Sequence, residues 1–229
     1  LTVIEHIILR CINAGIEPVI CTTKNKSDQK LVNIAKKFKI KSFRGSEKNK
    51  IKRWYDCSIK FKINNFHTID ADDLYFDPVA IKKSLDLVRL KTFDIVHPSK
   101  HSRYGGASEG YSFTKKGIKK LYLSLYNYKF NKLDNLDTEM IDIFVENAKL
   151  NSYLFKGQSY AIKNKIRLTL DYVEDFKLFK KIFKHFGIYS ARKEINDFLK
   201  KNKNILKINY FRNKQWDTKQ KNFKIPKKK

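Results

Sequence analysis

No run of about 18 apolar residues occurs anywhere in the chain, which excludes a membrane-spanning helix. No signal-peptide pattern is visible in the opening residues. Cysteine is limited to Cys11, Cys21 and Cys57, an odd number without metal-binding spacing. That excludes a disulfide scaffold, and the expectation is reduced core thiols in a cytoplasmic protein. The five histidines form no cluster, and His67 sits inside an apolar run as a core residue would. Carboxylates are scarce: 23 Asp and Glu stand against 50 Lys and Arg, a net charge of +27. Arginine is scarcer still, with eight of the 50. Bidentate phosphate contacts lean on Arg, and the lysines are spread over every expected element. The excess charge therefore reads as compositional bias, of the kind AT-rich coding gives, rather than a dedicated nucleic-acid surface. It would still attract polyanions at low salt.

With 229 residues, 41% of them hydrophobic, the chain can bury a sizeable core. Helical spacing of apolar residues runs through VIEHIILRCINAG to Gly15. PVICTT (18–23) reads as a buried strand, and SDQKLVNIAKKFKI as a helix with Ser27 as its cap. KSF is a brief strand, KNKIKRWYDCSIKFKI a helix and FHTIDA (66–71) a strand. PVAIKKSLDLVRL is a helix with Pro78 in its first turn, and FDIVHP is a strand. HSRYGGASEG is a turn-rich loop. A strand at YSF precedes helices over TKKGIKKLYLSLY and DTEMIDIFVENAK, the latter with Asp137 as its cap. SYLFKG and IRLTLD read as strands, VEDFKLFKKIFKHFG as an amphipathic helix closed by Gly187, and a last helix begins near Ala191. The rhythm predicts an α/β fold with a mainly parallel sheet. Residues 1–210 form a single domain on this reading, and 211–229 a basic tail that frays from Asn213 onward.

Against this basic background, TIDADDLYFDP places Asp70, Asp72, Asp73 and Asp77 at the end of a strand. Ligands of open α/β sheets bind at the carboxyl ends of strands, and clustered carboxylates suit a hard cation such as Mg²⁺. IRLTLD likewise stops at Asp171. Two strand-end aspartates could meet over one metal. The plainer alternative is that Asp72 or Asp73 caps a turn and Asp171 caps the helix that begins at 173.

VICTT, FRGSE, RWYDC, the acidic strand end with its DP, and IRLTLDYVEDF follow one another as in the cytidylyltransferases. The chain resembles that family over about residues 1–210, most of all its spore-coat polysaccharide branch, which is related to the CMP-KDO and CMP-sialate synthetases. The resemblance implies a Rossmann-like three-layer sandwich. It also implies an enzyme that uses CTP and Mg²⁺ to activate a sugar or sugar acid as its CMP derivative, releasing pyrophosphate. Asp72 and Asp171 match the metal-binding aspartates. Thr22, Arg44, Ser46 and Asp70 match nucleotide-side positions, and Arg103, Ser108 and Glu109 fall in the acceptor-binding segment. Ala71 stands where the family has Gly and Leu74 where it has Pro, which alters the shape of the loop. The implied partners are CTP and a sugar or sugar-acid acceptor, with a homodimer left open and no specific nucleic acid or membrane.

The resemblance begins after the family's first strand and its basic phosphate-binding loop. The expectation is roughly 20–30 further N-terminal residues carrying a central strand and that loop, and little catalysis without them. Other readings stay open: a glycosyltransferase using Asp70-Ala71-Asp72 as an Asp-x-Asp metal motif, a basic nucleic-acid-binding protein, or a catalytically degenerate scaffold.

Overall fold

The computed structural model describes residues 1–90, 93–98, 110–155, 166–221 and 226–229. Helix α1 (Val3–Asn13) opens on a capping box. Thr2 Oγ1 accepts from the Glu5 N–H, and Glu5 Oε2 accepts from the Thr2 N–H at 2.8 Å. Gly15, at φ 66°, takes the left-handed conformation that closes the turn after α1. Strand β1 (Val19–Thr23) then pairs in parallel with β2 (Lys41–Gly45) through the intervening helix α2 (Gln29–Lys37). Helix α3 (Lys50–Lys60) follows, capped by Asn49, whose Oδ1 accepts from the Lys52 N–H at 2.8 Å.

The second sheet contains β3 (Asn65–His67), β4 (Ile95–Pro98), β5 (Ser112–Thr114) and β6 (Ser152–Phe155), in the spatial order β3-β5-β4-β6. β5 runs antiparallel to both neighbours, and β6 is parallel to β4. The longer pairings, β1–β2 and β4–β6, are the parallel ones. Helices α4 (Pro78–Leu90), α5 (Lys115–Ser124) and α6 (Ile141–Asn147) alternate with these strands. The class is α/β, as the rhythm of the sequence predicts. Among the described residues β1 pairs only with β2 and β3 only with β5, so the two sheets share no ladder. A C-terminal helical group completes the chain: α7 (Val173–Phe186), α8 (Arg192–Lys201), α9 (Lys203–Leu206) and α10 (Arg212–Lys221). Cys11 and Cys57 are buried, and all three cysteines are free thiols.

Several local expectations are corrected. IRLTLD joins neither sheet: Ile166, Arg167 and Leu168 are buried against the C-terminal helices instead. β3 ends at His67, short of the expected 66–71. Thr68 only extends it, donating to the Tyr111 carbonyl and accepting from the Tyr111 N–H, both at 2.9 Å. Ser27 does not cap α2, because a 3₁₀ turn at Lys26–Asp28 precedes that helix. The helix expected from Asp137 starts only at Ile141, and the Asp137 carboxylate accepts from the Glu139 N–H in a local turn. Arg212–Lys221 is helical where the sequence predicts fraying. The Arg212 guanidinium forks onto Glu174 at 3.0 and 2.8 Å. The last residues pair with the body, Lys129 N–H donating to the Lys227 carbonyl and Lys229 N–H to the Asn127 carbonyl, each at 2.8 Å. Charge pairing and backbone bonds anchor a segment that its apolar content alone would not.

The core region that matters most for the site joins two distant stretches. Leu74 and Tyr75, just after the acidic knot, share a cluster with Ile166 and Leu168, just before Asp171. Leu178, Phe179 and Ile182 of α7, Ile195 and Leu199 of α8 and Leu206 of α9 complete it. Full burial of such side chains is worth about 1.5–3 kcal/mol each, so this cluster can hold the two aspartate-bearing segments side by side.

Candidate functional site

The segment after β3 turns sharply: the Asp73 N–H donates to the Asp70 carbonyl at 3.1 Å, and the Phe76 N–H to the Asp73 carbonyl. This leaves Asp72 at the crest of the turn, half-buried, while the residues after it enter the core. The second segment meets it there. The Leu170 N–H donates to the Asp72 carbonyl at 3.2 Å. The Thr169 hydroxyl lies 3.0 Å from Asp72 Oδ2 and 3.3 Å from Asp171 Oδ2. One small hydroxyl thus stands between two carboxylates. Burial raises the Asp72 carboxyl above the usual carboxylate range, and the charges of Asp70 and Asp171 push the same way.

A buried guanidinium holds Asp171 in place. Arg167 is fully buried; its Nη2 donates to Asp171 Oδ2 at 2.6 Å, and its Nε donates to Asp175 Oδ1 at 2.9 Å. Asp175, also fully buried, accepts the N–H groups of Asp171 and Tyr172 on Oδ2, each at 2.9 Å, and the Asn209 amide on Oδ1 at 2.8 Å. Asp175 therefore does the capping at the start of α7, and the Asp171 carboxylate stays directed at Thr169 and Arg167. The sequence alternative in which Asp171 caps that helix is not what the structure shows. Arg167 carries a further bond to Asn213 Oδ1 at 3.0 Å, which ties α10 to the same network.

Asp70 lies on the other flank, with its side chain half exposed. Lys50 Nζ approaches Asp70 Oδ1 at 3.9 Å and bonds Glu139 Oε1 at 2.8 Å. Asp77 has a structural task, its Oδ1 accepting from the Val79 and Ala80 N–H groups at the start of α4. The loop 74–77 is gripped from behind by two buried arginines. Arg10 Nη2 donates to the Phe76 carbonyl at 2.8 Å, and Arg192 Nη1 to the Tyr75 carbonyl at 2.9 Å.

Thr22, Arg44 and Ser46 are engaged in the loops that follow β1 and β2. Asp28 Oδ2 accepts from the Thr22 and Thr23 hydroxyls, each at 2.6 Å, and from the Thr23 N–H at 3.0 Å; these bonds draw its carboxyl down to about 2. Arg44 spends its donors on the Thr23 and Asn25 carbonyls and on Gln29 Oε1. The Ser46 hydroxyl donates to the Asp134 carbonyl at 3.1 Å and accepts from the Asn49 N–H. None of these bonds reaches Asp70, Asp72 or Asp171. Arg103, Ser108 and Glu109 lie outside the described residues.

Comparison with known proteins bears on the fold that carries this arrangement. A solved structure of a cytidylyltransferase from Leptospira borgpetersenii serovar Hardjo-bovis matches with a TM-score of 0.72 over 90% of this chain and 85% of that one, at 20% identity. The chain has the fold of the cytidylyltransferases. A molybdopterin-guanine dinucleotide biosynthesis protein A from Archaeoglobus fulgidus also matches this chain, at a TM-score of 0.55 and 11% identity over 81% of this chain and 87% of that one. In sequence, the chain is 28% identical over 194 residues to "Uncharacterized protein MJ1063" of Methanocaldococcus jannaschii, covering 83% of this chain and 76% of that protein. No family model matches the chain.

The structure brings the two candidate aspartates of the sequence, Asp72 and Asp171, to one hydroxyl, and the residues that set their geometry were not among the sequence candidates. Arg167 is a lone cation inside an apolar run, a signal for a buried ion pair that was there to use. Asp175, at the third position of a helix, carries the pattern of a capping carboxylate. Lys50, Thr169 and Glu139 carry no such signal, because ordinary surface residues look the same. Among the described residues no group of three or more His, Cys, Asp or Glu side chains is arranged to hold a metal. The donor set is two carboxylates, which suits Mg²⁺ completed by water and substrate phosphate rather than a closed metal cage.

Proposed function

We propose that the protein is a nucleotidyltransferase that uses CTP and Mg²⁺ to activate a sugar or sugar acid as its CMP derivative, releasing pyrophosphate, for surface polysaccharide or glycan synthesis. The observation that supports it best is the approach of Asp72 and Asp171 to the single hydroxyl of Thr169. Two carboxylates held this close, one of them raised by burial and by its neighbours' charge, favour a cation between them. Asp72 and Asp171 would hold Mg²⁺, which when bound neutralises charge on the reacting phosphate and orients the leaving pyrophosphate.

The chain's own contribution is positioning. Arg167 fixes the direction of Asp171, and Thr169 fixes its separation from Asp72. The buried cluster around Tyr75 and Ile166 keeps both segments from drifting. An acceptor oxygen attacks the α-phosphorus in line and the P–O bond to pyrophosphate breaks. No enzyme nucleophile is needed for that exchange, so precise placement and fixed charge supply the catalysis. On this reading Asp70 faces the nucleotide, Thr22, Arg44 and Ser46 shape the loops on the nucleotide side, and Arg103, Ser108 and Glu109 belong to the acceptor side.

The test is pyrophosphate release by the full-length protein from CTP and Mg²⁺ across a panel of sugars and sugar acids. Release with CTP in preference to other nucleoside triphosphates is the expected result. No pyrophosphate with any triphosphate, together with free nucleoside diphosphate from a nucleotide sugar, would replace this reading with a glycosyltransferase.

A further inference from the structure

We propose that Lys50 is the phosphate-binding cation of the site, with Glu139 occupying it when no substrate is bound. This rests on the nucleotidyltransferase reading and names a ligand group within it.

The root of Lys50 is rigid. Asn49 before it is fully buried, caps α3 and donates to the Leu133 carbonyl at 2.9 Å. Ile51 after it is fully buried, and its N–H donates to the Thr138 hydroxyl. The lysine stem is therefore aimed, and its side chain is 20% exposed. At its tip the ammonium has three N–H donors and makes one hydrogen bond, to Glu139. Its approach to Asp70, at 3.9 Å, is Coulombic contact without a hydrogen bond. Glu139 itself is 59% exposed, and a half-solvated ion pair is weak. The resting partner is thus easily exchanged.

Charge balance favours a phosphate as the replacement. Among the described residues Asp70 is paired with Lys50 and Asp171 with Arg167, while Asp72 has the two neighbouring carboxylates and no cation beside it. Arg167 is fully buried and already bonded to Asp171, Asp175 and Asn213, so burial closes it to a ligand. A triphosphate brings more negative charge than one divalent ion removes, and among the described residues Lys50 is a cation beside the knot with donors to spare. Burial by itself would lower the Lys50 ammonium, but the Asp70 charge and the Glu139 bond outweigh it, and the group stays protonated. The step is an exchange of ion-pair partners, with no bond made or broken.

The experiment is calorimetric titration of magnesium pyrophosphate and of magnesium CTP into the full-length wild-type protein, Lys50→Met, Lys50→Arg and Glu139→Gln. Thermal melts establish that each variant is folded. Lys50→Met should weaken both ligands about 10–100-fold, the loss of a charge-assisted bond. Lys50→Arg should recover most of that loss, and Glu139→Gln should bind as tightly as wild type or more so. Unchanged binding by Lys50→Met, while Asp72→Asn loses it, would overturn the assignment of Lys50 and leave the nucleotidyltransferase reading standing. A Lys50→Met variant that binds pyrophosphate normally but loses a sugar acid would likewise overturn the phosphate assignment. Failure of the wild-type protein to bind either ligand would remove the nucleotide reading and this inference with it.

Discussion

The backbone N–H of Leu170 donates to the carbonyl of Asp72 at 3.2 Å. Through that bond two segments from distant parts of the chain meet at the main-chain level, and their carboxylates converge as a result. The bond constrains where the Asp72 side chain stands and is indifferent to what that side chain is. Replacing Asp72 by Asn should therefore leave the turn intact.

Two opposite effects are expected from Asp72→Asn. Turnover should fall by two orders of magnitude or more, since a fixed electrostatic contact at the reacting phosphate is worth about 10²–10³ in rate. The metal-free protein should become more stable at neutral pH, with a higher Tm. The sign follows from the raised Asp72 carboxyl. A raised carboxyl makes the ionised form costly in the fold, so the cost appears as pH rises through its folded value and is absent in acid. The gain from Asn should thus vanish below the carboxylate range. Melts at pH 7 and pH 3 check it.

Arg167→Met should cost about 3–5 kcal/mol, because it strands two carboxylates, one of them fully buried. Arg167→Lys should recover little, since a point charge cannot serve Asp171 and Asp175 together. Urea unfolding of the three proteins measures both.

His6 gives a separate pH signal. Burial, with the nearby Arg10 charge, holds its imidazole down at about 4, so it is neutral in the fold. Stability is full above the unfolded value of about 6.5 and declines as pH falls towards 4. The carboxyls of Glu5 and Asp28, held at about 2, give up their contribution only in more acid solution. A fall in the urea midpoint between pH 6.5 and 5 that is absent from His6→Gln is the expected result. An equal fall in both proteins would assign the effect elsewhere.

Asp28→Ala should loosen the loop after β1 and cost about 1–3 kcal/mol, since it leaves the hydroxyls of Thr22 and Thr23 and the Thr23 N–H without their acceptor. Hydrogen exchange at residues 22–29 reads this directly.

Much of this was legible in the sequence because it depends on local pattern. The helices at α1, α4 and α7 follow from apolar spacing and from their capping residues, and β1 from a short apolar run. Asp72 and Asp171 stood out because carboxylates closing apolar runs are conspicuous in so basic a chain, although neither run proved to be a strand reaching its aspartate. What could not be read was set by tertiary contact. IRLTLD alternates like a strand, yet its apolar residues serve a helical core, and its arginine serves two aspartates. Lys50 is one lysine among many, and only the fold brings it beside Asp70. The tail reads as polar and loose, yet the Arg212–Glu174 fork and the pairing of 227–229 hold it down.

The grip of Arg10 and Arg192 on the carbonyls of Phe76 and Tyr75 has a practical consequence. Dissolved salt screens exposed charge pairs such as Lys41–Glu17. It has little purchase on a buried guanidinium bonded to a peptide dipole. The loop that presents Asp72 should therefore keep its shape at ionic strengths that strip adventitious polyanions from this cationic surface. Ligand titrations at rising salt should then lose the non-specific signal first, while the loop that presents Asp72 stays formed.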